Sequence, residues 1–194
     1  MKPVLWLWLA GPLVELLLRA GLSQLGANPQ EALLRGLGQQ TLMLMLLVLA
    51  FPVVSRSIDA RLRPSLLACR RMLGLWTFAY ATIHLMAYWQ FEHDLRWSPM
   101  WSDLWTRPFV TLGVSAWAGL ALMALTSNRW SMKMLKARWK QMHGSLIWPL
   151  AVLGLVHFYL HKAGKNDFGE PLFFTAAFLL VLALRRWWRR PLRA

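Results

Sequence analysis

Three histidines define the chemistry open to this 194-residue chain. His143 and His157 stand 14 residues apart near the C-terminal end of a largely apolar sequence, and His84 lies in an earlier apolar segment. Imidazole is neutral near physiological pH, costs less inside a bilayer than a fixed charge and ligates haem iron strongly. Histidines in apolar segments are therefore functional candidates. The pattern implies a haem-binding membrane protein. Competing chemistries lack their residues. A single cysteine, Cys69, excludes a disulfide framework and a cysteine-ligated iron–sulfur cluster. Neither a nucleophile with base and orienter, nor a Gly-rich phosphate loop, nor a pair of intramembrane carboxylates, nor a nicotinamide-binding fingerprint is found. The sequence suits a relay, with substrate chemistry on a partner.

Positioning such histidines requires membrane helices, and the composition provides them. Hydrophobic residues make up 57% of the chain and charged ones 15%, the latter clustered between apolar runs. Runs close to the roughly 20 residues that a bilayer core demands lie at 4–21, 39–55, 72–91, 108–126, 144–161 and 171–186. The expected fold is an all-α polytopic six-helix bundle, one domain over 1–194 with no internal repeat. The first run also resembles a signal peptide, with Met1-Lys2 as a short basic n-region. Because no small-x-small cleavage site precedes Leu22, a retained helix is expected. The net charge of +14 suggests nucleic acid at first sight. A base-stacking groove needs a solvated surface that these segments lack, so no nucleic-acid partner is expected.

Loop charge explains the balance better. Arg56, Arg61, Arg63, Arg70 and Arg71 fall in 56–71, and Arg129, Lys133, Lys136, Arg138 and Lys140 in 127–143. With Arg185, Arg186, Arg189, Arg190, Arg193 and Lys2 they make 16 of 22 basic residues on one side of a six-helix chain. The opposite loops hold six of the eight acids: Glu31, Glu92, Asp94, Asp103, Asp167 and Glu170. Both termini are expected in the cytoplasm. Tryptophans 97, 101, 105, 130, 139, 187 and 188 fall at helix ends, as an interfacial belt would.

On this topology His84, about 18 Å of helix rise above Met72, and His157, about 21 Å above His143, share a level in the outer half of the membrane. At about 100° per residue, His143 and His157 face one side of their helix to within roughly 40°. One imidazole from each of two parallel helices can hold a haem, with a second redox group beneath it. The simpler alternative, an interhelical hydrogen bond, applies to each histidine taken alone. His161, one turn above His157, is a further ligand or an interfacial polar residue. His93, between Glu92 and Asp94, is expected in solvent. The ten methionines fit core or lipid-facing filler better than axial ligation. Arg70, Arg71 and the second basic loop offer cations for haem propionates or a flavin phosphate. Topology alone also accounts for them. Glu15, inside the first run, could line a polar cavity or a proton or quinone path, or lie near a frayed end.

Longer matches add a family. Gly26-Ala27-Asn28-Pro29, Arg70-Arg71-Met72-Leu73-Gly74-Leu75-Trp76 and Ala81-Thr82-Ile83-His84-Leu85 come first. Thr106-Arg107-Pro108-Phe109-Val110-Thr111-Leu112-Gly113, Thr126-Ser127, Trp139 ahead of His143, and His157-Phe158-Tyr159 follow. Together, over about residues 20–186, the chain resembles the MsrQ (YedZ) family, haem-binding membrane subunits of the periplasmic methionine sulfoxide reductase system. The resemblance implies a ferric-reductase-like six-helix domain of the bacterial inner membrane that binds haem b and FMN. It would pass electrons to MsrP, a periplasmic molybdoenzyme, taking them from the quinone pool or a cytoplasmic flavin reductase. His84, His143 and His157 match the family's three characteristic histidines. Two departures stand out. The interval between the last two is one residue longer than the family's and contains Pro149, which can reset helical phase. The related NADPH oxidases also place two histidines on helix three, whereas the position 14 before His84 is Arg70, so a second haem at His143 lacks an obvious partner. A transmembrane ferric or cupric metalloreductase is the alternative function. A non-redox transporter or assembly factor, using the histidines for protons or metal ions, is a third.

Overall fold

Proline and asparagine set most helix boundaries. In the computed structural model, which describes residues 2–56, 58, 61 and 63–188, the chain forms α1 (Lys2–Gly21), α2 (Pro29–Val54), α3 (Arg63–His93), α4 (Trp97–Thr106), α5 (Pro108–Leu125), α6 (Arg129–Ala163) and α7 (Gly169–Trp187). The side chain of Asn28 accepts from the Glu31 amide at 3.2 Å, ahead of Pro29 in the first turn of α2. Asn128 caps α6 in the same way through the Ser131 amide, at 2.8 Å. Pro108 forces Arg107 into extended backbone (φ −117°, ψ 98°), which parts α4 from α5.

The architecture is an all-α membrane bundle, with no strand among the described residues. Helices α1, α2, α5 and α6 are each long and apolar enough to cross a membrane. Helices α3, with 31 residues, and α7, with 19, coincide with the other two expected runs; α3 carries His84 and α7 ends on Arg185-Arg186-Trp187. Lipid-facing side chains such as Leu17, Leu18, Leu179 and Leu180 are about 60% exposed. Buried ones such as Leu49, Met45 and Ala151 sit where α2, α3 and α6 meet. Lipid is as apolar as leucine, so close packing rather than hydrophobic transfer holds these helices together. Gly119 of α5 illustrates this, because a Cβ there would run into the side chain of Leu150 on α6.

One buried hydroxyl joins the first helix to the bundle. Pro12 interrupts the α1 hydrogen-bond ladder, and Tyr80 of α3, 1% exposed, inserts its hydroxyl into the gap. It accepts from the Leu13 amide at 3.0 Å and donates to the Leu9 carbonyl at 2.8 Å. Pairing backbone groups this way matters most in a membrane, where no water is at hand.

Three expectations change. The segment 127–143, read as a loop, is helical from Arg129 and forms the first part of α6, which breaks at Lys136 (φ 47°, ψ −120°). Much of 56–71 belongs to α3. Trp97, Trp101 and Trp105 fall on a seventh, short helix: α4 turns all three outward, 58–73% exposed, while Met100 and Asp103 are buried beneath it. Repetition every four residues makes this an interfacial helix with an aromatic face. Arg189, Arg190 and Arg193, counted toward the cytoplasmic side, lie outside the described residues.

Candidate haem site

Four helices, α2, α3, α5 and α6, enclose a cavity of about 340 Å³. His84 enters it from α3 and His157 from α6, both half-buried. Their ring centroids are 6.2 Å apart and their planes nearly perpendicular, at 87°. Each ring has one nitrogen committed. His84 Nδ1 lies 3.0 Å from the Leu34 carbonyl oxygen on α2, and His157 Nδ1 lies 2.6 Å from the Phe109 carbonyl oxygen on α5. A carbonyl only accepts, so both Nδ1 atoms donate and both Nε2 atoms carry lone pairs. Metal-ligating histidines take this form, one nitrogen fixed by a backbone carbonyl and the other left for the metal.

The spacing suits an ion between the two rings. An ion there would be held by the two Nε2 atoms, one from α3 and one from α6. The donor set and the cavity therefore fit a haem with two imidazole ligands.

The cavity is polar at one end only. Leu42, Met45, Ala81, Ala116 and Leu120 line its depth, while Asn28, Glu31, Arg35, Arg107, His161, Lys162 and Lys165 stand at its mouth. This matches a macrocycle with an apolar body and anionic propionates. Ion pairs knit the mouth together: Arg35 to Glu170, Lys165 to Glu31, and Lys162 to Asp167 at 2.5 Å and Glu170 at 3.5 Å. Lys162 is only 5% exposed. Its ammonium, hydrogen-bonded to Asp167, holds that carboxyl below the usual carboxylate range. Asp167 and Glu170, read from sequence as free acids of an outer loop, are thus engaged within the protein.

A second polar cluster borders the same mouth. His93, expected in solvent, is 6% exposed, and Asp103, expected on an open acidic loop, is 7% exposed. Asp103 Oδ2 accepts from the Tyr88 hydroxyl at 2.5 Å and from His93 Nε2 at 3.0 Å; Oδ1 pairs with Arg107 at 3.2 Å. Helix α4 folds back over α3 and closes this cluster, and α4 is the element missing from the six-run reading. The i, i+4, i+8 spacing of its tryptophans was the signal that could have revealed it.

His143 stands apart from the other pair. It meets Thr126 at the C-terminal end of α5, whereas His157 meets Phe109 at the other end of that helix. The single proton of the Thr126 hydroxyl goes to the Leu122 carbonyl at 2.7 Å, so His143 Nε2, 3.0 Å away, donates to Thr126 Oγ1. Trp139 stacks on the imidazole with centroids 4.2 Å apart and itself donates to the Thr126 carbonyl at 2.9 Å. Arg70, half-buried, is near enough to act on His143 electrostatically, while Arg71 is exposed. Glu15 is exposed and 3.7 Å from Arg19 one turn on, so it lines neither site. His161 is exposed at the cavity mouth, its ring 5.5 Å from that of Phe109.

Comparison with known proteins gives the family. Residues 35–155 match the family described as "Ferric reductase like transmembrane component". The chain is 36% identical over 187 residues to the "Protein-methionine-sulfoxide reductase heme-binding subunit MsrQ" of Bordetella pertussis, covering 95% of this chain and 84% of that protein. The protein of the same name from Caulobacter vibrioides is 36% identical over 185 residues, covering 95% and 85%. That from Yersinia pseudotuberculosis is 34% identical over 186 residues, covering 95% and 89%.

Proposed function

We propose, on the premise that this chain belongs to the ferric-reductase-like transmembrane family and to its MsrQ haem-binding subunits, that it relays electrons across a membrane to a methionine sulfoxide reductase. One observation carries the reading: two imidazoles on different helices line one cavity with their ring centres 6.2 Å apart, each with Nδ1 bound to a backbone carbonyl and Nε2 left without a protein partner. His84 and His157 would hold haem b through their Nε2 atoms. When bound, haem supplies one-electron exchange between ferric and ferrous iron. The chain's residues do the rest. The apolar depth of the cavity excludes water and ions, and cations at the mouth receive propionate charge. Tyr88 and Arg107, braced by Asp103, keep the mouth in shape.

At the other end of the membrane, His143, the stacked Trp139 and Arg70 offer a flat aromatic surface and a cation. These groups suit an FMN ring and phosphate, with Arg71 as a further cation at that face. A second haem with two imidazoles lacks its second histidine among the described residues there. We therefore favour one haem b plus FMN, in a single transmembrane domain spanning 1–194. The acceptor is the periplasmic molybdoenzyme MsrP, and the donor is the quinone pool or a cytoplasmic flavin reductase. The protein lies in the bacterial inner membrane with both termini in the cytoplasm, a sidedness that its distribution of basic residues supports.

The test is the reduced-minus-oxidised spectrum and haem-to-protein ratio of purified wild type, His84→Ala and His157→Ala. Wild type should carry a low-spin b-type haem, and either variant should lose it or hold it high-spin and easily extracted. Normal low-spin haem in both variants sinks the ligand assignment. Reoxidation of the reduced protein by a ferric chelate, with none by MsrP, would favour the metalloreductase instead.

A further inference from the structure

We infer that Gly38 and Gly113 are positioning residues for the two iron-binding imidazoles, each opening a backbone carbonyl one turn earlier as a seat for a histidine Nδ1–H. The inference rests on the haem reading above and explains how that site is built. His84 Nδ1 donates to the Leu34 carbonyl, and Gly38 is four residues further along α2. His157 Nδ1 donates to the Phe109 carbonyl, and Gly113 is four residues further along α5. The same arrangement thus occurs twice, on two helices that carry no ligand.

Helical geometry explains the spacing. A carbonyl at position i points along the axis toward residue i+4, whose amide takes one of its two lone pairs. Any side chain at i+4 hangs back over the preceding turn and covers the approach to the second lone pair. Glycine leaves that approach open. A Cβ on Gly38 would lie 3.3 Å from Cε1 and 3.6 Å from Nδ1 of His84. On Gly113 it would lie 2.7 Å from Nδ1 and 2.9 Å from Cε1 of His157, closer than such atoms pack. Both glycines therefore meet the imidazole itself. Gly144, beside His143, has no heavy atom within 4 Å of its would-be Cβ, and His143 donates through Nε2 instead.

Three consequences follow for the ligands. Each seat selects the Nδ1–H tautomer and so leaves Nε2 for iron. Each fixes ring rotation, and the two seats, on α2 and α5, set the planes 87° apart. Donation from Nδ1 also raises the basicity of the ring, which favours ferric iron and lowers the reduction potential.

The experiment uses the full-length haem-loaded protein with Gly38→Ala, Gly113→Ala and Gly119→Ala. Gly119 controls for crowding, because a Cβ there strikes Leu150 and touches no histidine. Three quantities are measured: haem affinity, the anisotropy of the ferric low-spin electron paramagnetic resonance signal, which reports the angle between imidazole planes, and the midpoint potential. Gly113→Ala should weaken haem binding on the order of 10-fold, shift the signal and raise the potential. Gly38→Ala should do the same to a smaller degree, following its looser contact. Gly119→Ala should leave signal and potential at wild-type values in whatever haem it retains. Wild-type signal and potential in Gly113→Ala, or equal shifts in Gly119→Ala, overturn the inference. If Gly113→Ala does not accumulate, Gly38→Ala decides by the same criteria, since its contact is mild enough to fold. A wild-type protein without haem would overturn the functional reading; a haem-bearing wild type with silent glycine variants overturns the seats alone.

Discussion

Replacing Asp103 with alanine should cost more stability than removing any other acid around the mouth of the cavity. Its carboxylate, 7% exposed, is held by three groups: the Tyr88 hydroxyl at 2.5 Å, His93 Nε2 at 3.0 Å and Arg107 at 3.2 Å. Hydrogen bonds to a charged group contribute about 1.5–3 kcal/mol each, but they share one acceptor and do not add. The Arg107 side chain is 48% exposed, so water can rehydrate it. Its share falls toward the roughly 0–1 kcal/mol of a surface pair. The loss is then dominated by the half-buried Tyr88 and the buried His93, left without their acceptor, and totals about 3–5 kcal/mol. Asp103→Asn keeps the shape and one acceptor oxygen, so about 1–2 kcal/mol is expected. Asp94→Ala is the reference, because that side chain is 79% exposed and 3.9 Å from Arg96; it should cost about 0–1 kcal/mol. Reversible unfolding in one detergent, followed by the tryptophan fluorescence of α4, gives all three values. Because Tyr88 and Arg107 line the cavity, Asp103→Ala should also release haem faster. Stability of Asp103→Ala within about 1 kcal/mol of Asp94→Ala would refute the view that this carboxylate organises the mouth.

Other outcomes follow from the same geometry. Reporter fusions after Lys140 and at the C-terminus should report cytoplasm, and one near Ser98 periplasm; a periplasmic C-terminus would break the topology. His143→Ala should keep the haem held by His84 and His157 while slowing its reduction from the cytoplasmic side, and a haem content as low as that of His157→Ala would contradict this. Since Asp103, Asp167 and Glu170 are paired internally, any charge steering of a soluble redox partner falls mainly to Glu92 and to Asp94, which is 79% exposed and only loosely paired with Arg96. Glu92→Gln with Asp94→Asn should then flatten the ionic-strength dependence of electron transfer, and a wild-type rate indifferent to salt would argue against steering altogether.

The membrane class, four of the six spans and the level shared by His84 and His157 were legible in the residues. Each depends on properties that act within one helix: apolar length against bilayer thickness, 1.5 Å of rise and 100° of turn per residue. The rings are accordingly found 6.2 Å apart. The family was legible too, in short runs around those histidines, and residues 35–155 match it. What the residues could not disclose are the relations between helices. His93 and Asp103 look like solvated loop residues until α4 folds over α3 and buries both, because desolvation is set by what packs above a side chain and not by its neighbours in the chain. Asp167 and Glu170 look like free acids until α6 and α2 bring Lys162 and Arg35 to them. Gly38 and Gly113 look like ordinary helix glycines until α3 and α6 lay a histidine on each. Rise and period come from the backbone, whereas tautomer, burial and ion pairing depend on which face of which distant helix arrives. Only the tertiary structure decided those.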